Sequence, residues 1–311
     1  MTPAAPIIAP IIAPTIAPTI ALASACFLHA CWLDVAVRKP GNVSRASPGH
    51  GMQAQQFIDS ARVAAAPLFE PGARVGVRIE AAMAATWAAV GCNTNLGILL
   101  LCAPVAAAVE RDGALLSTAA LRAALEAVLA DLDLDDTRAA YRAIALANPG
   151  GLGRAGAEDV HATPSLGLRA AMALAAGRDS IARQYACGFA ELFETAQPLL
   201  AQGIRITPGA ECGEPDSLTV AAVQRTYLAF LSRMPDSHIV RKHGEAVAHN
   251  VMNAAQAWRH APDPGADPAF AAWDDSLKAQ RINPGTSADL TVAALLLAGV
   301  LAPVTGVWHG S

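Results

Sequence analysis

Runs in which Val, Ile and aromatic residues alternate with polar ones are missing, and aromatics make up only 5% of the 311 residues. A half-buried β-strand needs that alternation, so a strand-built architecture is excluded. Charge is also scarce. Charged residues are 15% of the chain, the net charge is −4, and Lys and Arg form no run longer than the pairs Arg38-Lys39 and Arg241-Lys242. Binding to nucleic acid relies on clustered cations that neutralise phosphates, so nucleic acid is not an expected partner. The six cysteines (Cys26, Cys31, Cys92, Cys102, Cys187, Cys212) include no pair two residues apart, the spacing of zinc and thioredoxin-type sites. They are expected to be small buried hydrophobes in a reducing cytoplasm. No Gly-x-x-x-x-Gly-Lys-Ser/Thr loop occurs, nor a Gly-x-Gly-x-x-Gly after a strand. Any nucleotide must therefore be bound outside the common α/β frameworks.

Hydrophobic residues, by contrast, are 53% of the chain, enough for a large core without disulfides or metals. Ala, Leu, Arg and Glu fill long segments, which predicts helices. The expected spans are 19–37, 52–66, 74–90, 96–109, 118–130, a helix capped by Asp135 or Asp136 that ends at Ala147, then 165–175, 179–196, 215–232, 244–260 and 286–302. The fold class expected is all-α, a single multi-helix bundle domain over 19–303 with a tail at 304–311. Residues 1–18 form a Pro/Ala/Ile-rich lead expected to be disordered or polyproline-like. Its prolines, about every four residues, remove helix hydrogen bonds and argue against a membrane span. No membrane partner is expected.

The polar residues that packing does not explain fall in five segments between helices. These are Lys39-Pro40-Gly41-Asn42-Val43-Ser44 with His50, Gly91-Cys92-Asn93-Thr94-Asn95-Leu96-Gly97, Pro149-Gly150-Gly151-Leu152-Gly153 with Glu158 to His161, Pro235-Asp236-Ser237-His238-Ile239 with Arg241, Lys242 and His243, and Asn283-Pro284-Gly285-Thr286-Ser287-Ala288-Asp289. Several open helices, where free backbone N–H groups and the positive end of the dipole favour phosphate. Glycines such as Gly41, Gly151 and Gly285 let the backbone approach an anion. Asn42, Asn93 and Asn95 offer neutral hydrogen bonds, as do Thr94, Thr286 and Ser287. Lys39, Arg241 and Lys242 are expected to neutralise an oligophosphate, with Asp236 or Asp289 holding Mg²⁺. His50 and His238 are further substrate candidates, with His161 and His243 behind them. No two of these histidines are four apart on a helix, so zinc is not expected.

Taken in order, seven motifs resemble the triphosphoribosyl-dephospho-CoA synthase family. They are Lys-Pro-Gly-Asn-Val at 39–43, Phe-Ile-Asp-Ser-Ala at 57–61, Gly-Cys-Asn-Thr-Asn-Leu-Gly at 91–97, Gly-Gly-Leu-Gly at 150–153, Arg-Asp-Ser-Ile-Ala at 178–182, Pro-Asp-Ser-His-Ile at 235–239 and Pro-Gly-Thr-Ser-Ala-Asp at 284–289. The resemblance implies an all-α enzyme that moves a 5-triphosphoribosyl group from ATP to the ribose 2′-hydroxyl of dephospho-CoA and releases adenine. Such chemistry needs negative charge near an oxocarbenium-like centre, a general base and a clamp on the triphosphate. Asp236, Asp289 and Asp179 are the carboxylates expected to carry it, followed by Asp159.

Two departures from the family pattern bear on the acceptor. Members that serve citrate lyase tend to carry His-Lys after Asn-Thr, where this chain has Asn95-Leu96. An Asp is often found between the His and Met occupied here by His50 and Met52, whereas this chain has Gly51. The Asn-Thr-Asn-Leu-Gly form resembles a branch linked to methanopterin and one-carbon metabolism. Three readings stand: the transferase, a related enzyme with another phosphorylated acceptor, and a helical nucleotide-binding protein without chemistry.

Overall fold

Fourteen α-helices and no strand occur among the residues described by the computed structural model, which are 16–112, 117–150, 153, 157–202 and 213–302. In chain order they are α1 (Ile16–Ala36), α2 (Ala54–Leu68), α3 (Val75–Val90), α4 (Leu96–Asp112), α5 (Thr118–Ala130), α6 (Leu134–Ala147), α7 (Leu168–Ala175), α8 (Ser180–Ala186), α9 (Ala190–Ala201), α10 (Ser217–Leu231), α11 (Ser237–His243), α12 (Glu245–Gln256), α13 (Pro268–Ala279) and α14 (Gly285–Leu301). The all-α expectation holds. Among the described residues no helix is long and apolar enough to cross a membrane.

Local chemistry sets the helix ends. Asp133, Asp179, Asp216, Asp236 and Asp267 stand just before helices, and each accepts backbone N–H bonds from the first turn, satisfying donors that have no partner inside the helix. Ser117 does the same for α5. Gly91 and Asn148 close α3 and α6 in the left-handed conformation, which a side chain branched at Cβ resists.

The centre of the molecule is α14. Val292, Ala293, Ala294, Leu295, Leu296 and Leu297 are all 0% exposed. Consecutive residues point about 100° apart, so six in a row at zero exposure leave this helix no solvent face. It packs on α1, α4, α9 and α10. Burying each leucine contributes roughly 1.5–3 kcal/mol, which makes α14 the element the others assemble around. The apolar run from Leu96 is likewise a buried helix, as its composition implied.

Five expectations are corrected. The span 179–196 is two helices, α8 and α9, because Gly188 (φ 62°) and Phe189 (φ 60°) both turn left-handed between them. Two helices, α11 and α13, were not foreseen, and α11 lies within a segment read as a loop. The cap of α6 is Asp133, while Asp136 sits three residues on and returns a bond to the Asp133 backbone. Cys187 is exposed and Cys92 half-buried, unlike buried Cys26, Cys31 and Cys102. Helix α1 starts at Ile16, inside the stretch read as a lead; residues 1–15, Cys212 and the tail lie outside the described residues.

Candidate active site

Helix α11 is the hub of one side of the site. The Asp236 carboxylate caps it, Oδ1 accepting from the His238 and Ile239 amides at 2.9 and 3.2 Å. Its Oδ2 accepts from the amide and hydroxyl of Ser287, in the first turn of α14, at 2.7 and 2.8 Å. The neighbouring Ser237 hydroxyl accepts from the Ser180 amide at 2.9 Å, which ties in the first turn of α8. One helix turn later Arg241 donates to Asp179, the cap of α8, at 2.7 Å. Three helix starts are therefore joined by side chains from a single short segment.

The facing wall is made by the Asn-Thr-Asn segment before α4. Asn93 Oδ1 accepts from the Leu96 amide at 3.1 Å. The Thr94 hydroxyl donates to Ser60 on α2 at 2.6 Å, and Asn95 Nδ2 donates to Thr86 on α3 at 3.0 Å. Asn42 joins from the loop after α1, donating to Asn283 at 3.1 Å. Between these walls lies a cavity of about 440 Å³. Its polar lining includes Asp34, Asn42, Asn93, Thr94, Asn95, Glu158, Asp159, Arg178, Asp179, His238, Arg241, Asn283 and Asp289; its apolar lining comes from Leu96, Ile98, Ile144, Met172 and Ile181, among others.

Its electrostatics are lopsided. Asp34, Glu158, Asp159, Asp179 and Asp289 face the cavity, against the cations Arg178 and Arg241 and, behind the wall, Lys39 on Asp34. Burial is the main reason the Asp289 carboxyl holds its proton well above the usual carboxylate range; the nearby charges of Asp34 and Asp236 add to it, while Arg241 opposes it. Asp289 makes no hydrogen bond or ion pair with the described residues. It fits beside α4 because position 97 is glycine: a Cβ there would lie 2.0 Å from its Oδ2. His238 is pushed down to about 3 by burial and by the positive charges of Lys242 and Arg241, so its imidazole is neutral.

Of the residues expected to bind substrate, Asn42, Asn93, Thr94, Asn95, His238, Arg241 and Gly285 line the cavity, as do Asp179 and Asp289. Others do not. Lys39 is fully buried and paired with Asp34 at 2.9 Å, leaving it no reach to a phosphate. The Gly41 amide is taken by Asp274 at 2.8 Å, and a Cβ on Gly41 would meet Pro284 at 2.7 Å, so this glycine permits loop packing. His50 bonds the Gly41 carbonyl at 2.7 Å. Asp236 is buried off the cavity with both oxygens filled, and neither Ser287 nor Thr286 lines it. Lys242 is exposed and lies against Gly150. Gly151 lies outside the described residues.

The sequence reading missed Asp34, and carried Arg178 and Asn283 only as members of motifs, without a role in the site. Asp34 had a signal, being the one carboxylate in the otherwise apolar α1.

Residues 21–305 match the family described as CitG: ATP:dephospho-CoA triphosphoribosyl transferase. The chain belongs to this family. The match takes in every described wall of the cavity, from Asp34 to Asp289. The protein is thus an enzyme of the triphosphoribosyl transferase kind, as its motifs implied, and the reading without chemistry falls away. The fold is similar to the crystal structure of a candidate triphosphoribosyl-dephospho-CoA synthase from Archaeoglobus fulgidus, with a TM-score of 0.60 at 23% identity over 79% of this chain and 98% of that one. No curated protein matches the chain in sequence.

Proposed function

We propose that the chain transfers the 5-triphosphoribosyl group of ATP to the ribose 2′-hydroxyl of dephospho-CoA, with release of adenine. The observation that carries the reaction class is the excess of carboxylates in the cavity. Phosphoryl transfer concentrates negative charge on a phosphate and calls for cations around it. Displacement at the anomeric carbon instead builds positive charge on the sugar, which carboxylates stabilise. Asp289 is the group we place at that centre, accepting the proton of the attacking hydroxyl. Arg241, Arg178 and the start of α14 at Gly285 are placed on the triphosphate.

Asp236 does not fit as a metal ligand, because its oxygens are filled. Among the described residues no group of three or more metal-type side chains occurs, so Mg²⁺ fits as a companion of the triphosphate held by phosphate oxygens, and Asp289 is left to the proton. The ion would supply charge neutralisation.

Leu96 favours a second reading, because it lines the cavity where citrate-lyase members tend to carry a cation. In that reading the same group goes to a different phosphorylated acceptor. The test is incubation with ATP, Mg²⁺ and dephospho-CoA, with free adenine followed by chromatography. Adenine release that depends on dephospho-CoA supports the first reading. Release only with other acceptors supports the second, and none with any acceptor overturns both.

A further inference from the structure

We propose that Asp236 is a positioning residue for this transfer: by clasping Ser287 it sets the rotation of α14 about its axis, and so sets where Asp289 stands in the cavity. The inference rests on the placement of Asp289 at the reacting centre.

The geometry is that of a clamp on the back of a helix. Ser287 and Asp289 are two residues apart, about 200° around an α-helix, so a hold on one faces away from the other. Both Ser287 bonds go to the same oxygen, Oδ2 of Asp236, while Oδ1 is fixed by two amides of α11. Every bond is buried: Asp236 is 2% and Ser287 3% exposed. A carboxylate has two oxygens that both accept, which suits four donors on two helices. An amide in its place would turn an N–H₂ against the donors of one helix.

Pro284, before the first turn of α14, gives it no side-chain cap, so Asp236 does this from its own place at the cap of α11. The adjacent Ser237 repeats the arrangement toward α8, its hydroxyl meeting the amide and hydroxyl of Ser180 at 2.9 and 3.2 Å. Two consecutive residues thus align the helices that carry Asp179 and Asp289.

The experiment compares Asp236→Asn, Ser287→Ala, Ser287→Thr and the double variant Asp236→Asn/Ser287→Ala in the full chain. Adenine release is measured together with amide hydrogen exchange at 285–289. Asp236→Asn is expected to lower kcat on the order of 10- to 100-fold with KM for ATP nearly unchanged, the scale of a displaced catalytic group. Ser287→Ala is expected to lose a smaller part of the same effect, Ser287→Thr to restore it, and the double variant to be no worse than Asp236→Asn. Exchange at 285–289 should quicken in both single variants that weaken the clasp.

Normal kcat in both Asp236→Asn and Ser287→Ala, with only the melting temperature lowered, would overturn the proposal. So would complete loss of activity in Asp236→Asn with Ser287→Ala unaffected, because Asp236 would then act directly. If Asp236→Asn does not fold, the Ser287→Ala and Ser287→Thr pair decides by kcat. A wild-type chain that releases no adenine sinks the functional reading instead, and the exchange data still report on the clasp.

Discussion

The junction around Asp236 and the cavity wall use the same residue types, yet their buried polar atoms are treated differently. At the junction Asp236, Ser237 and Ser287 bond one another and the helix starts of α8, α11 and α14. On the wall, buried polar atoms are left without partners: Oδ1 of Asn42 and of Asn95, Nε2 of His238 and Nε of Arg241. A buried polar atom without a bond costs roughly 1–3 kcal/mol, so folding alone does not favour this pattern. Elsewhere the described residues include a few such atoms, among them the Ser44 and Ser232 hydroxyls, but only the cavity gathers several around one space. Saturated polar groups mark what holds the fold. Unmet ones mark where a ligand is to complete them.

The comparison breaks most directly at Asp289. Asp289→Asn is predicted to lower the rate of adenine release by about 10²- to 10⁴-fold, the range for a general base, while leaving the melting temperature unchanged or raised. Rise or constancy is expected because a half-buried carboxyl that none of the described residues bonds is removed. Wild-type turnover, or a large loss of stability, would place Asp289 with the structural residues. Lys39→Met is the mirror image. It strands the Asp34 carboxylate, and breaking a buried pair from one side costs about 3–5 kcal/mol, to be read from urea unfolding. A variant as stable as wild type would show that Lys39 is not the structural cation its burial indicates.

The two kinds of group were not separable in the sequence. Asp179, Asp236 and Asp289 all stand in polar motifs at helix starts, and local chemistry alone makes each a cap or a catalyst. What decides between them is distant: Asp236 meets Ser287, 51 positions away, and Asp289 meets the bare backbone of Gly97. Lys39 looked like a phosphate ligand for the same reason, since its partner Asp34 is hidden in an apolar helix. The helices were easier to read because Ala- and Leu-rich periodicity is a local signal. Their breaks were harder to read, as at Phe189, where a residue with no preference for the left-handed region is held there.

Gly97 allows a sharper test, because helix propensity and site geometry pull in opposite directions there. In an ordinary helix Gly→Ala gains up to about 1 kcal/mol. Here the added Cβ would lie 2.0 Å from Asp289 Oδ2 and 2.8 Å from Ile181 Cδ1, so something must shift. Gly97→Ala is predicted to lower kcat by roughly tenfold or more with little change in unfolding free energy, as the propensity gain offsets the strain. Unchanged kcat would mean that Asp289 can move without consequence, against the roles proposed for it and for its clasp.

The smallest expected effect concerns His238, whose imidazole stays neutral on the cavity wall down to about pH 3. The unfolded chain takes up a proton at this position near pH 6.5, the ordinary value, whereas the folded chain does not. Stability from this group is therefore intact above pH 6.5 and declines as the pH falls from there toward 3. By pH 5.5 the loss should be about 1.4 kcal/mol, since one pKa unit corresponds to about 1.4 kcal/mol. Urea unfolding of wild type and His238→Gln at pH 7.5 and 5.5 isolates it: the variant should lose less stability over that interval. ATP should leave the difference in place if the triphosphate avoids the ring and shrink it if a phosphate binds against Nε2, because that contact favours the protonated form and restores stability at low pH. That sign tells whether the neutral wall of the cavity faces the phosphates or the sugar.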